Sequence, residues 1–280
     1  MHLVCEYPLK GAKTQMKREN GFAEVSGTRL YYEVAGSGHP MFLVHGFTLD
    51  TRMWDYQFET FAQHHQVIRY DVRGFGKSAL LTGESHSHVN DLKALKKHLG
   101  ISHAYVLGLS MGGGIAIDFA LEYPEAIDAL IPADAVLGGF QWREFGESLA
   151  SVWARATESG VQAAKELWLG LDLFKPAMRK PDVASRLAQM VSDYSGWHFV
   201  NDNPLLQLDP PPIQRLDGIS APTLIIVGEH DLPDFHTIGG ILHGQIPKAR
   251  KVILPGVGHM SNMEAPDRFN EIVLTFLADL

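Results

Sequence analysis

The sequence predicts an α/β protein: a mostly parallel sheet with helices on both faces and an inserted helical cap. Three observations carry that prediction. From residue 24 onward, strand-length apolar runs alternate with helix-period segments. Several of those runs are almost wholly apolar, as expected of central parallel strands buried on two faces. The alternation breaks between residues 137 and 212, where only helix-period segments remain.

In chain order, strands are expected at 29–34, 41–44, 66–70, 104–109, 126–131, 223–227 and 251–254. Helices are expected between them at 53–64, 87–99, 110–123, 234–246 and 265–278. Gly100 and Pro124 supply stops, since glycine accepts the left-handed turn that ends a helix and proline cannot continue one. Cap helices are expected at 141–156, 160–168 and 183–194. Four of the five tryptophans (Trp142, Trp153, Trp168 and Trp197) fall in this insert, with Phe145, Phe174 and Phe199. Most of these rings are read as glue between cap and sheet, and a subset as the roof of an apolar pocket. Pro210-Pro211-Pro212 reads as a stiff link back to the sheet. The expected organisation is a flexible extension over 1–20, a core over 21–136 and 213–280, and a cap over 137–212.

With 280 residues, 45% of them apolar and 20% charged, the chain can bury a large core. Its formal net charge of −8 argues against nucleic acid or an anionic membrane as partner and favours a small neutral or mildly polar ligand. A single cysteine, Cys5, excludes an internal disulfide and suits a reducing cytoplasm, the expected location. Residues 1–21 mix charged and apolar side chains without the apolar core of a secretory signal, and no run of 18 apolar residues exists.

The chemistry is expected around Gly108-Leu109-Ser110-Met111-Gly112, placed between a strand and a helix. A serine at so sharp a turn has strained backbone angles, and small residues on either side keep a Cβ from striking strand or helix. Ser110 is the candidate nucleophile. The helix after it aims unpaired N–H groups at the place where an oxyanion would form. A serine needs a base, and His259 lies in the Gly-rich loop Pro255-Gly256-Val257-Gly258-His259 after the last strand, at the edge where open parallel sheets carry ligands. The imidazole needs an acid; Asp231, just after strand 223–227, is the candidate, with Glu229, Asp234 and the more distant Asp134 as competitors. Ser110, Asp231, His259 is the nucleophile–acid–base order this fold class uses. The Phe47 N–H, in His45-Gly46-Phe47 after strand 41–44, pairs with that of Met111 as the two expected oxyanion donors. His45 itself reads as a structural hydrogen-bonding residue. The expected pocket walls are Trp54, Met111, Trp142, Phe145, Trp197, Leu232 and Met260.

With these motifs in view, the chain from about residue 24 to 280 resembles the α/β-hydrolase superfamily. The likeness extends to Asp71-Val72-Arg73-Gly74-Phe75-Gly76-Lys77-Ser78, which in that family is a structural loop beneath the site. The resemblance implies a mostly parallel sheet of about eight strands with an inserted cap. It is most similar to bacterial carboxylesterases and lactonases of the 3-oxoadipate enol-lactonase type. Ser110-Met111-Gly112-Gly113-Gly114 is also similar to the cofactor-free haloperoxidase or perhydrolase branch. Epoxide hydrolases and haloalkane dehalogenases carry aspartate at the elbow, so Ser110 argues against both. C–C bond hydrolases usually have an aromatic residue after the histidine; Met260 stands there here.

Gly76-Lys77-Ser78 mimics the end of a phosphate-binding loop, but Asp71 occupies the position of its first glycine. Gly36-Ser37-Gly38 has Met41 where a dinucleotide fingerprint needs its last glycine. His86-Ser87-His88 lacks a companion cluster of ligands, and His64-His65 reads as a surface helix end. No metal and no cofactor are expected. The expected function is that of a serine hydrolase acting through an acyl-enzyme on esters or lactones with small to medium apolar groups, as a monomer or homodimer. A C–C hydrolase or haloperoxidase on the same triad, and a non-catalytic ligand receptor built on a hydrolase fold, are the rivals.

Overall fold

Eight strands form one sheet in the computed structural model, which describes residues 18–280. In chain order they are β1 (Arg18–Val25), β2 (Thr28–Gly36), β3 (Pro40–Val44), β4 (Gln66–Tyr70), β5 (Ala104–Leu109), β6 (Ile127–Ala133), β7 (Thr223–Gly228) and β8 (Ala249–Leu254). Their spatial order is β1-β2-β4-β3-β5-β6-β7-β8, with the β1–β2 and β2–β4 pairs antiparallel and the rest parallel. The parallel strands are buried because crossover helices cover them. Met41 to Val44 of β3 are wholly inaccessible, and every residue of β7 is buried.

The strand β1 has no counterpart among the expected elements, and it begins inside the segment read as a flexible extension. Residues 1–17 lie outside the described residues. β1 is an edge strand in which only Ala23 is fully buried, so its sequence, RENGFAEV, lacks an apolar run. β6 runs two residues beyond its apolar run, through Pro132, and so delivers Asp134 to the sheet edge.

The flanking helices are α1 (Asp55–Ala62), α2 (His88–His98) and α3 (Met111–Glu122). Ser87 caps α2 by accepting from the Asn90 N–H at 3.2 Å. Between β6 and β7 the described chain forms helices α4 (Glu144–Ser159), α5 (Val161–Leu169), α6 (Lys175–Met178), α7 (Pro181–Asp193) and α8 (Trp197–Val200), apart from a lone bridge of Leu205 to His86. Helices α9 (Pro233–Gln245), α10 (Ser261–Glu264) and α11 (Pro266–Ala278) complete the chain.

Aromatic packing holds the cap to the sheet. Phe47, in the loop after β3, has Trp153, Trp168, Tyr194, His198 and Phe199 of the cap within 6.0 Å, ring centre to ring centre. Such edge and stacked contacts contribute about 0.5–1.5 kcal/mol each beyond area burial. The ion pairs Arg52–Asp193 and Arg186–Asp55 also bridge cap and core, but exposed pairs of this kind contribute little. A buried amide network ties α1 to the segment after β8: Gln57 donates to the Asn262 carbonyl and Asn270 Oδ1, and Asn262 donates to the Met53 carbonyl, all at 3.0 Å. That network anchors the chain directly downstream of His259.

Candidate active site

Ser110 stands at the junction of β5 and α3 with φ 56° and ψ −116°, a conformation that side chains other than glycine rarely adopt. Three glycines make the junction possible. A Cβ on Gly108 would strike the Gly112 carbonyl, one on Gly112 the Val44 and His45 carbonyls, and one on Gly113 the Ala135 side chain. The spacing of small residues is thus a requirement for passing a helix this close to β3 and β6. Ser110 is 9% exposed, and its hydroxyl donates to no described group.

His259 follows β8 and is buried. Its Nδ1–H donates to Asp231 Oδ2 at 2.9 Å, which leaves Nε2 as the free base. Asp231 is held in turn by the Leu232 N–H at 2.7 Å on its other oxygen. Glu264 fixes the histidine loop by accepting from the Gly258 N–H at 2.9 Å and the Met260 N–H at 3.2 Å. Burial pushes the His259 imidazolium down to about 4. The imidazole is therefore unprotonated, and able to accept a proton, at neutral pH.

The N–H groups of Phe47 and Met111 donate to no described backbone or side-chain group, and Met111 is the first residue of α3, where such donors are left over. His45 orients the Phe47 loop. Its Nε2 accepts from the Val72 N–H at 2.9 Å, so Nδ1 carries the proton and donates to the Gly46 carbonyl at 2.8 Å. Thr48, with φ 64°, accepts from Trp168 Nε1 at 2.8 Å, tying the same loop to the cap. Asp71 accepts from the Thr51 and Lys77 N–H groups, each at 2.7 Å, as a structural brace beneath.

Ser110 and His259 line one cleft with Gly46, Phe47, Leu49, Leu109, Trp168, Leu173, Phe174 and Met260. Its volume is about 10 Å³, the space of one water molecule. A larger groove of about 300 Å³ shares Phe47 with it and is lined by Met111, Gly114, Ile115 and Asp118 along one face of α3, with Val136, His198 and Leu205 opposite. Asp118 is pushed up to about 7 by burial, reinforced by Glu122 and opposed by Arg215. The folded chain therefore keeps a proton there that the unfolded chain loses near pH 4, and stability falls as pH rises between about 4 and 7. With allowance for its partial exposure, Asp118→Asn is expected to remove that slope and raise stability at pH 8 by roughly 1–2 kcal/mol, read from urea midpoints at pH 5 and pH 8. A variant with the wild-type difference between the two midpoints would show that this carboxyl is ionised throughout.

Of the expected wall residues, Met260 lines the cleft and Met111 the groove. Phe145 and Trp142 stand one ring further out: both pack on Phe235, whose ring lies 4.4 Å from that of His259. Trp54 is buried in the core at 6.4 Å from Phe269, Trp197 packs beside His198, and Leu232 contributes its backbone to Asp231; none of these three lines the cleft. Leu49, Trp168, Leu173 and Phe174 do line it and are not among the expected walls: spacing in the cap does not reveal which of its residues look at the sheet, and Leu49 sits in the irregular loop after β3, where no periodicity gives a direction.

A strained serine between strand and helix, a buried His–Asp pair on the neighbouring strand ends and a helical cap define an α/β hydrolase. A family model described as the alpha/beta hydrolase fold matches residues 39–266, and the chain belongs to that family. It is 29% identical over 266 residues to a candidate carbamate hydrolase, RutD, of Azorhizobium caulinodans, covering 92% of this chain and 98% of that one. It is 28% identical over 280 residues to the 2-hydroxy-6-oxo-6-phenylhexa-2,4-dienoate hydrolase of Burkholderia cepacia, covering 91% and 93%. The solved enol-lactonase of Burkholderia xenovorans superposes with a TM-score of 0.78 at 25% identity, covering 92% of this chain and all of that one. No helix among the described residues is long and apolar enough to cross a membrane.

Proposed function

We propose that this hydrolase cleaves carboxylic esters or lactones bearing small to medium apolar groups, with Ser110 as nucleophile, His259 as base and Asp231 as its orienting acid. The observation that carries the proposal is the strained Ser110 sharing a cleft with a buried imidazole whose Nδ1–H is already committed to a carboxylate. Ser110 Oγ attacks the acyl carbon as His259 Nε2 takes its proton. The Phe47 and Met111 N–H groups receive the oxyanion. His259 then returns the proton to the departing alkoxide, and water repeats the sequence on the acyl-enzyme with the alcohol gone. Each oxyanion donor contributes roughly 3 kcal/mol to lowering the barrier, and the base about 10²- to 10⁴-fold in rate.

The cleft's apolar lining and small volume favour a short acyl chain. Leu173→Ala removes one wall, and the ratio of kcat/KM for p-nitrophenyl hexanoate over acetate is expected to rise about tenfold. An unchanged ratio would place the acyl group elsewhere.

A second reading, hydrolysis of a C–C bond in a vinylogous diketone, draws on the similarity to the Burkholderia cepacia enzyme. The discriminating experiment is a panel of p-nitrophenyl esters, lactones and aryl diketo-acids assayed with the purified protein. Ester or lactone turnover well above that of the diketo-acids supports the proposal; the reverse order supports C–C cleavage.

A further inference from the structure

Beside the His259–Asp231 pair lies a second carboxyl group to which the chemistry above gives no part. β6 and β7 are neighbours in the sheet, and the chain turns off each at its C-terminal end. Asp134 follows β6 directly, with φ 43°, and Asp231 follows β7. Asp134, Asp231 and His259 are all buried, and one polar side-chain atom of each lies within 4.8 Å of the other two.

The hydrogen bonds show how the two carboxyls coexist. Asp134 Oδ1 accepts from the Gly228 N–H at 2.7 Å, and its Oδ2 is bonded to the Ser261 hydroxyl. Asp231 accepts from the Leu232 N–H and from His259 Nδ1–H. The Asp134 and Asp231 carboxyls are also within hydrogen-bonding reach of one another. Two anions at such a distance in a buried site repel strongly, and a proton between them turns repulsion into a hydrogen bond. The other acid in this corner is Glu264 of α10, whose oxygens are taken up by the Gly258 and Met260 N–H groups. The nearby Lys180 ammonium of the cap is bound to the Glu264 carbonyl at 2.7 Å, so among the described residues no cation faces the Asp pair other than His259 when protonated.

We propose that Asp134 is a positioning residue of the Ser110 site: as a neutral carboxylic acid it donates to Asp231 and leaves Asp231 as the single carboxylate facing His259. Each carboxyl accepts two protein donors, Asp134 from the Gly228 N–H and the Ser261 hydroxyl and Asp231 from the Leu232 N–H and His259 Nδ1–H. The proton resides on Asp134 because the remaining negative charge then lies on the carboxyl bonded to the imidazole, which becomes positive during turnover. Burial raises both the Asp134 and the Asp231 carboxyls well above the usual carboxylate range; the Asp231 charge raises Asp134 further, while hydrogen bonds from the Leu232 N–H and Asp134 lower Asp231. The inference rests on Ser110, His259 and Asp231 acting as proposed above. Its consequence is that the cluster carries one negative charge, not two, in the state that begins turnover.

The test compares Asp134→Asn, which keeps a neutral donor and an acceptor in nearly the same shape, with Asp134→Ala. Asp134→Asn is expected to keep kcat/KM within about threefold and leave the acid limb of its pH profile unmoved, whereas Asp134→Ala loses about 10- to 100-fold. The infrared difference spectrum of wild type minus Asp134→Asn at pH 7 is expected to show the carbonyl stretch of a protonated carboxylic acid. That spectrum reads the proton without turnover, so it stands even if Ser110 proves not to be the nucleophile. A carboxylate band in its place, a downward shift of the acid limb in Asp134→Asn, or an unaltered Asp134→Ala profile would overturn the assignment.

Discussion

Ser110→Ala is expected to lower kcat for p-nitrophenyl butyrate by at least about 10⁴-fold while leaving the fold intact. Removing the hydroxyl deletes the bond-forming atom, and what remains is the rate supplied by binding and the oxyanion donors. The fold survives because alanine meets the same backbone conformation as serine, φ 56°, and the serine hydroxyl donates no hydrogen bond to a described group. Ser110→Gly relaxes the strained turn and is expected to be equally inactive but more stable by about 1 kcal/mol. An inactive but stabilised glycine variant would separate the chemical need for the hydroxyl from any structural need. Retention of more than a few per cent of activity in either variant would exclude Ser110 as nucleophile.

The largest expected effect on stability comes from Gly112→Ala. The new methyl group would meet the Val44 and His45 carbonyls, backbone atoms of β3 and the loop after it that cannot rotate aside. Either α3 moves off the sheet or β3 bends, at a cost of about 3 kcal/mol or more. For a chain of this size that corresponds to a fall in Tm of roughly 6–12 °C. Gly240, in α9, supplies the opposite sign: its Cβ would meet nothing within 4 Å, so Gly240→Ala is expected to stabilise by about 0.5–1 kcal/mol through helix propensity alone. Thermal melts of the two variants side by side check both. Equal behaviour would mean that the elbow glycines are not there to let helix and strand approach.

The contrast explains what could be read from the chain alone. Central strands announce themselves because burial on two faces demands unbroken apolar runs, as in β3 and β7, and the elbow does so because strain and close approach restrict residue type at Gly108, Ser110 and Gly112. The edge strand β1 carries no such demand, since one side of it meets water, and it passes as a polar tail. The four-residue helices α6, α8 and α10 span about one turn each, too little for the helical period to repeat and be recognised. Within the site, motif spacing pointed to the N–H groups of Phe47 and Met111, and neither has a hydrogen-bond acceptor among the described residues. Side chains whose roles depend on direction were not: Trp54 points into the core, Trp168 into the cleft, and spacing does not distinguish them. Asp134 was visible as a competitor to Asp231, but only the sheet order, which sets β6 beside β7, turns two rival carboxyls into one cluster.

The pairing of cap and site has a functional reading in the same terms. Trp168, Leu173 and Phe174 close over Ser110 until about one water molecule fits, while Trp168 also grips Thr48 in the loop that carries the Phe47 N–H. On the proposed function, an acyl group entering the cleft would displace cap side chains that also hold the loop of the proposed oxyanion donor, so substrate fit and donor alignment would be coupled through one indole.

The most direct measurement is the intact mass and peptide map of the protein after exposure to a fluorophosphonate at pH 7.5. An activated serine beside an unprotonated imidazole and two free N–H donors is expected to take one adduct per chain, rapidly, on the peptide that contains Ser110, and not in Ser110→Ala or His259→Ala. A folded protein that stays unmodified, or that carries its adduct on another residue, would contradict the account.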